Sequence, residues 1–323
     1  MITRFVNNII PPTGFGLYNS ELNTGYFSLH DNFNLTVTLK VFLRPKNEDR
    51  KIIRDADGNR FRIDNWPAGE WNTFRNIYQT TGQSFWDNKF WLKTPDDFIE
   101  LDRDIGDFRQ EQIFITLTEQ VERCVVGSFW CSTDTQTYRE AVTIRRGLLR
   151  RPNLNCRFRL ELADSASVAH KTIDVYYITH RRSGGQWIRT RPGRLTEFRS
   201  DDSTYSSSDL MLEEMEFEGH RLTFQTHIHE IGHALGLDHS GVPRHEPQCI
   251  QAIATSADSS NDAVCYGTTL ESAGNVMGMG MNLSWHDSLP WRYAAELHTG
   301  VNQHRWEIYQ RPLRSRSVEF HAL

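Results

Sequence analysis

An α+β domain built on a mixed, twisted sheet is the architecture this sequence predicts, and three observations point to it. Residues 35–43, LTVTLKVFL, place β-branched and apolar side chains at every second position, the period of a half-buried strand. From Ala68 to about Trp91, the aromatic and apolar residues Trp71, Phe74, Ile77, Tyr78, Phe85 and Trp86 fall mostly at i, i+3 and i+4 spacings, the period of a helix with one buried face. Several more β-branched runs then precede a second, histidine-bearing helix, so strands and helices are grouped rather than strictly alternating.

The elements follow in order. Residues 35–43 open the sheet, and Pro67 stands at the entry of the first helix, where a missing N–H costs little. Gly82 leaves the far end of that helix open. Residues 112–121, 157–162 and 173–179 read as strands, each β-branched or alternating and bounded by polar turns. Residues 199–210, RSDDSTYSSSDL, are a loop by composition. A second helix is expected over residues 222–235, and a third begins near Asp287, runs through Trp291, Tyr293, Ala294 and Leu297, and stops at Gly300. No Pro/Ser/Gly linker and no internal repeat divides the chain. The expected division is an N-terminal extension at 1–30, a principal domain at 31–304 and a basic tail at 305–323.

The bulk numbers exclude several classes of function. With 323 residues the chain can bury a large core, and it holds no apolar run approaching the roughly 20 residues of a membrane helix. A net charge of −5 and a pI of about 6.2 argue against a nucleic-acid partner, which demands concentrated Lys and Arg. The N-terminal residues break every short apolar run with Asn-Asn or Pro-Pro, so a secretory signal is not expected. Synthesis in the cytoplasm, followed by retention or by signal-independent export or injection, is the resulting expectation. Five cysteines (Cys124, Cys131, Cys156, Cys249 and Cys265) are too few for a disulfide scaffold and form no CxxC pair; Cys249 and Cys265 can either pair or remain two thiols.

Residues 229–239, HEIGHALGLDH, carry the chemistry. Ile228, Ile231 and Leu235, with Phe224 before them, sit at helical spacing and are expected to face the core. His229 and His233 are four apart, so their imidazoles project from one face about one turn from each other, as two zinc ligands require. Gly236 can take positive φ and turn the chain back, bringing His239 up as a third ligand. Three protein ligands leave one position for water, the arrangement of a catalytic rather than a structural zinc. Glu230 adjoins the first ligand and is the expected general base and acid. His227 points to another face and is expected to be a solvent or core-edge histidine. At this chain's own residue frequencies, the five-position pattern arises by chance on the order of once in 10,000 such chains.

This run resembles the metzincin signature HExxHxxGxxH. Residues 274–283, GNVMGMGMNL, look like the Met-turn of that clan, with Met277 as its methionine and Met279 as the alternate. The resemblance implies a strand, a backing helix, further strands, an active-site helix, and a C-terminal helix below the cleft. It also implies one catalytic Zn2+ and an extended protein or peptide substrate lying along an edge strand, for which residues 191–198 or 173–179 are the candidates. The motif covers residues 229–239 only, and the wider correspondence is architectural. Two features depart from relatives in the clan. No Tyr follows the Met-turn where astacins and serralysins have an extra metal contact. The first 123 residues also lack cysteine, so a matrixin-like cysteine latch is not expected in them.

The functional expectation is a zinc-dependent endopeptidase that uses a zinc-activated water, with Glu230 moving the proton. A zinc amidase acting on a non-protein amide, such as a cell-wall peptide linkage, would use the same residues. A non-catalytic, zinc-containing binding module is the third reading. An unlatched peptidase made in a cytosol would endanger its host, which suggests delivery to another compartment or cell as an effector or toxin.

Overall fold

Strand β3 (Phe33–Lys46) organises the sheet. Phe33, Leu35, Val37, Leu39 and Val41 are all fully buried, so the alternation read from the sequence becomes one core face. In this computed structural model the structure describes residues 3–14, 16–23, 33–55, 58–93, 95, 153–190, 203–241, 250–251, 254 and 269–310. Strand β7 (Asn153–Leu162) runs parallel beside Phe33–Val41, and β8 (Lys171–Ser183) runs parallel beside Val41–Lys46. Strand β2 (Tyr18–Asn23) pairs antiparallel with Asn34–Thr38.

Shorter strands complete the sheet. β1 (Thr3–Ile9) pairs with β2, while β4 (Lys51–Arg54) and β5 (Arg60–Asp64) extend it beyond β8. β6 (Phe90–Lys93) lies between β7 and β13 (Glu307–Gln310). β9 (Gln186–Arg189) forms a hairpin with β8, and β10 (Thr204–Ser206) runs parallel to it. Among the described residues these make an 11-stranded mixed sheet, accompanied by a separate hairpin of β11 (Glu213–Phe217) and β12 (His220–Phe224). With helices α1 (Ala68–Trp86), α2 (Thr226–Ala234), the short α3 (Leu270–Gly274) and α4 (Leu289–Thr299), the architecture is α+β. Among the described residues no helix is long and apolar enough to cross a membrane.

Several expectations need correction. Helix α1 stops at Trp86, not near Trp91. Asp87 leaves the helix in extended conformation, accepting from the Phe158 N–H at 2.9 Å and pairing with Arg157, and Asn88 then takes positive φ, so Phe90 enters a strand. Gly82 does not weaken the helix end. A Cβ there would meet Ile231 Cδ1 at 2.6 Å, so this glycine lets α1 and α2 approach. The buried stripe is Phe74, Tyr78, Gly82 and Trp86, whereas Ile77 is exposed.

The helix expected over residues 222–235 begins only at Thr226. Glu218 and Gly219 both adopt positive φ in a two-residue hairpin turn, and this pairs Phe217 with His220 and commits Leu222 and Phe224 to β12. The polar stretch near Tyr205 is not all loop either: β10 lies within it, with Tyr205 buried. Residues 157–162 and 173–179 fall inside β7 and β8, and α4 ends on Gly300 in the left-handed conformation, as read from the sequence. The strand expected at residues 112–121 and the cysteines other than the buried Cys156 lie outside the described residues.

The segment expected as an N-terminal extension supplies β1 and β2, and Ser20 Oγ meets His298 Nε2 on α4 at 2.9 Å. The segment expected as a basic tail opens with β13 paired to β6, and residues 311–323 lie outside the described residues. Burial pulls the His298 imidazole down to about 4, with Arg4 adding to the shift. Burial likewise lowers His170, whose Nδ1 accepts from the Lys40 N–H at 3.0 Å, to about 4, with Lys40 contributing. Both rings stay neutral in the native state while the unfolded chain takes up protons below its ordinary imidazole pKa of about 6.5. Stability therefore falls as the pH drops from about 6.5 towards 4. Urea midpoints measured across that window should decline, and His298→Gln should flatten part of the slope.

Candidate metal centre

Helix α2 carries the first two histidines. Ile228, Ile231 and Leu235 are buried as expected and seat the helix on α1, where the Trp86 indole N–H donates to Ile228 O at 3.2 Å. Phe224 belongs to β12 instead of the helix, and its ring meets that of His229 edge-on, 5.4 Å between centroids. After Leu235 the chain reverses at Gly236, whose φ of +85° is the left-handed conformation expected of it. The Gly236 N–H donates to His233 O at 2.8 Å and the Leu237 N–H to Gly232 O at 3.0 Å, closing the helix end.

That reversal brings His239 to the other two histidines. His233 Nε2 lies 3.1 Å from His229 Nε2 and 2.9 Å from His239 Nε2. Two of the rings are fixed from behind: His229 Nδ1–H donates to Val276 O at 2.7 Å, and His233 Nδ1–H donates to Leu237 O at 2.8 Å. With the proton on Nδ1, each of those Nε2 atoms presents a lone pair inward. Burial, with the neighbouring histidines, pulls His229 down to about 3 and His239 to about 2, so protonation does not relieve the crowding. The donor set suits a shared cation: bonds of about 2.0–2.1 Å to a tetrahedral ion imply N···N separations of about 3.3 Å. Among the described residues, His229, His233 and His239 are the group that could hold a metal ion.

The Met-turn candidate lies beneath α2. Met277, 1% exposed, packs its sulfur where a Cβ on Gly232 would be only 2.2 Å away, while Met279 is half-buried. Met277 O accepts from the Ser240 N–H at 2.7 Å, next to the third histidine. The turn is shaped by Asn275, whose Oδ1 accepts from the Met277 N–H at 2.7 Å and whose Nδ2 donates to the buried Asp287 carboxylate at 2.8 Å. Gly278 and Gly280 allow it to close, because a Cβ on either would fall 2.0 Å from Ser272 O or 2.1 Å from Gly274 O.

Glu230 is half-buried beside His229, and its charge raises Tyr78 and Tyr205, although burial is the larger cause for both tyrosines. His227 stays out of the triad but is fully buried, not solvent-facing. Its Nε2 meets Thr81 Oγ1 at 2.8 Å and its Nδ1 meets Asp209 O at 3.1 Å. The substrate edge expected at residues 173–179 is not an edge. Asp174–Tyr176 pair with Arg44–Lys46 on β3 and with Thr204–Ser206 on β10. The other candidate, residues 191–198, lies outside the described residues.

No family model, curated protein or solved structure matches this chain.

Sequence reasoning missed Gly232, Asn275, Asp287, Gly278 and Gly280. A glycine inside a short helix is an intrinsic cost of about 1 kcal/mol, and that cost was the available signal for Gly232. Gly280→Ala should open the turn, weakening binding of any metal ion the three histidines hold at least about 10-fold and lowering stability by about 1–3 kcal/mol. Chelator competition and urea unfolding of the same preparation would measure both.

Proposed function

We propose that the protein is a zinc-dependent endopeptidase of metzincin type, with His229, His233 and His239 as zinc ligands, Glu230 as general base and acid, and Met277 as the apolar floor. The observation that carries this reading is the convergence of three imidazole nitrogens, with inter-nitrogen distances of 2.9 and 3.1 Å, one residue from a glutamate. The element order supports it: strand β3, helix α1, strands β7, β8 and β10, helix α2, the Met277 turn, then α4.

Zinc, when bound, supplies Lewis acidity at the scissile carbonyl and lowers the pKa of an attacking water. Glu230 takes the proton from that water and returns it to the leaving amine nitrogen. His229 and His233 keep their Nδ1 protons on Val276 O and Leu237 O, so their ring orientation does not change through the cycle. Met277 and Phe224 bound the site with apolar surface, which strengthens the electrostatic action of Glu230.

Glu230→Ala should retain one zinc per chain and lose at least about 100-fold in cleavage of unfolded casein. Zinc content by elemental analysis and proteomic mapping of cleavage sites, wild type against Glu230→Ala, test this together. Zinc-loaded wild type that cuts no peptide library but hydrolyses cell-wall amides would make it an amidase. No hydrolysis of either would make it a binding module.

A further inference from the structure

The turn between the second and third histidines is held from outside the motif. Gly236 O accepts from Thr13 Oγ1 at 3.0 Å, and Ala234 O, one of the last carbonyls of α2, accepts from the Leu17 N–H at 3.2 Å. Carbonyls at a helix end have no partner within the helix, so the bond to Ala234 O does work the helix cannot do for itself, while the bond to Gly236 O holds the turn beyond it. Gly16 lies between them. A Cβ on it would stand 2.5 Å from Gly236 N, 2.8 Å from Gly236 Cα and 2.9 Å from Ala234 O, and its φ of +87° independently favours glycine.

The N-terminal segment is itself anchored. Gly14 N–H donates to Pro11 O at 2.9 Å, and Tyr18, fully buried, donates its hydroxyl to Pro290 O at 3.1 Å. Leu22 is buried on β2, which is zipped to β3. The residue directly after Gly236 is Leu237, whose carbonyl orients His233, and two residues later comes His239.

We infer that Thr13, Gly16 and Leu17 are positioning residues of the metal centre: they clamp the Gly236 turn and thereby place His239 and the Leu237 carbonyl behind His233. The metal site is then composite, completed by a contact spanning 223 residues of sequence. This inference rests on the three histidines holding a metal, and it stands or falls separately from the peptidase activity. Thr13 acts through the turn, and removing its hydroxyl loosens a ligand in the way that loss of a partner behind a ligand does, by about 10- to 100-fold in affinity.

The test uses the full chain and Zn2+ or Co2+ alone. Thr13→Val should weaken Zn2+ binding about 10-fold or more in chelator competition and alter the visible Co2+ spectrum, with the fold intact by near-UV circular dichroism. Thr13→Ser should restore wild-type affinity. In a His239→Ala background, Thr13→Val should have a smaller effect than in the wild type, because only the route through the Leu237 carbonyl and His233 remains. Asn19→Ala, which removes a bond to the Asn8 N–H elsewhere in the same hairpin, should leave affinity unchanged. Gly16→Ala is expected to weaken metal binding and to fold less well. Wild-type affinity in Thr13→Val, or an equal loss from it in the His239→Ala background, overturns the inference. Failure of the wild type to bind Zn2+ overturns the metal centre itself.

Discussion

The approach of residues 275–277 to the underside of α2 is the constraint on which the rest of the site depends. Val276 O fixes the ring of His229, Met277 O holds the backbone of Ser240 beside His239, and the Met277 sulfur fills the hollow left by Gly232. Two consecutive residues, Val276 and Met277, therefore touch the first histidine, the neighbour of the third, and the helix between the first two. A shift of that turn moves the ring of His229 together with the chain beside His239, and so alters the geometry of a site that could hold a metal ion.

Buried polar groups grip this arrangement from two directions. Below α2, the Asp287 carboxylate accepts from Asn275 Nδ2, the Ser284 N–H and the Ser284 hydroxyl, which compensates a group that burial alone would push towards its neutral form. At the helix start, Asp209 accepts from the Ser206 N–H and hydroxyl and presents its own carbonyl to His227, which in turn reaches Thr81 on α1. Such networks specify position more than they stabilise. Each member is costly if left unpartnered, so alternative placements of α2 are strongly disfavoured.

The convergence of His229, His233 and His239 and the reversal at Gly236 were legible because local spacing alone determines them, one helical turn and one reversal, whereas the bend at Met277 was marked by the resemblance. The strand at residues 35–43 was legible because its apolar period matches its buried face, and the last helix through the buried Trp291 and Ala294 and its stop at Gly300, although Leu297 is exposed. Long-range partners were not. Nothing local in Pro-Pro-Thr-Gly announces that Thr13 bonds to Gly236, and the apolar residues Leu222 and Phe224 fit a helix until the Glu218–Gly219 turn commits them to a hairpin. Likewise Trp91 continues the aromatic spacing of α1, but Asp87 is drawn off by Arg157 and Phe158 on a strand some 70 residues later. Tyr205 and Asp209 sit in a stretch whose composition reads as solvent-exposed, because a short side chain that caps its own turn can be buried without showing any apolar pattern.

The clamp of Thr13 and Leu17 on the Gly236 turn and the support from Val276 together impose an order on biosynthesis. Thr13 and Leu17 are made before the three histidines, and the supporting turn after them, at residue 276. A growing chain that has displayed all of HEIGHALGLDH still lacks the carbonyl that orients His229, and one that has lost its first residues lacks the hold on the reversal before His239. Capture of a metal ion that His229, His233 and His239 could hold in this geometry therefore waits for residue 276. A fragment that lacks either segment would carry the motif without the support that gathers the three imidazoles.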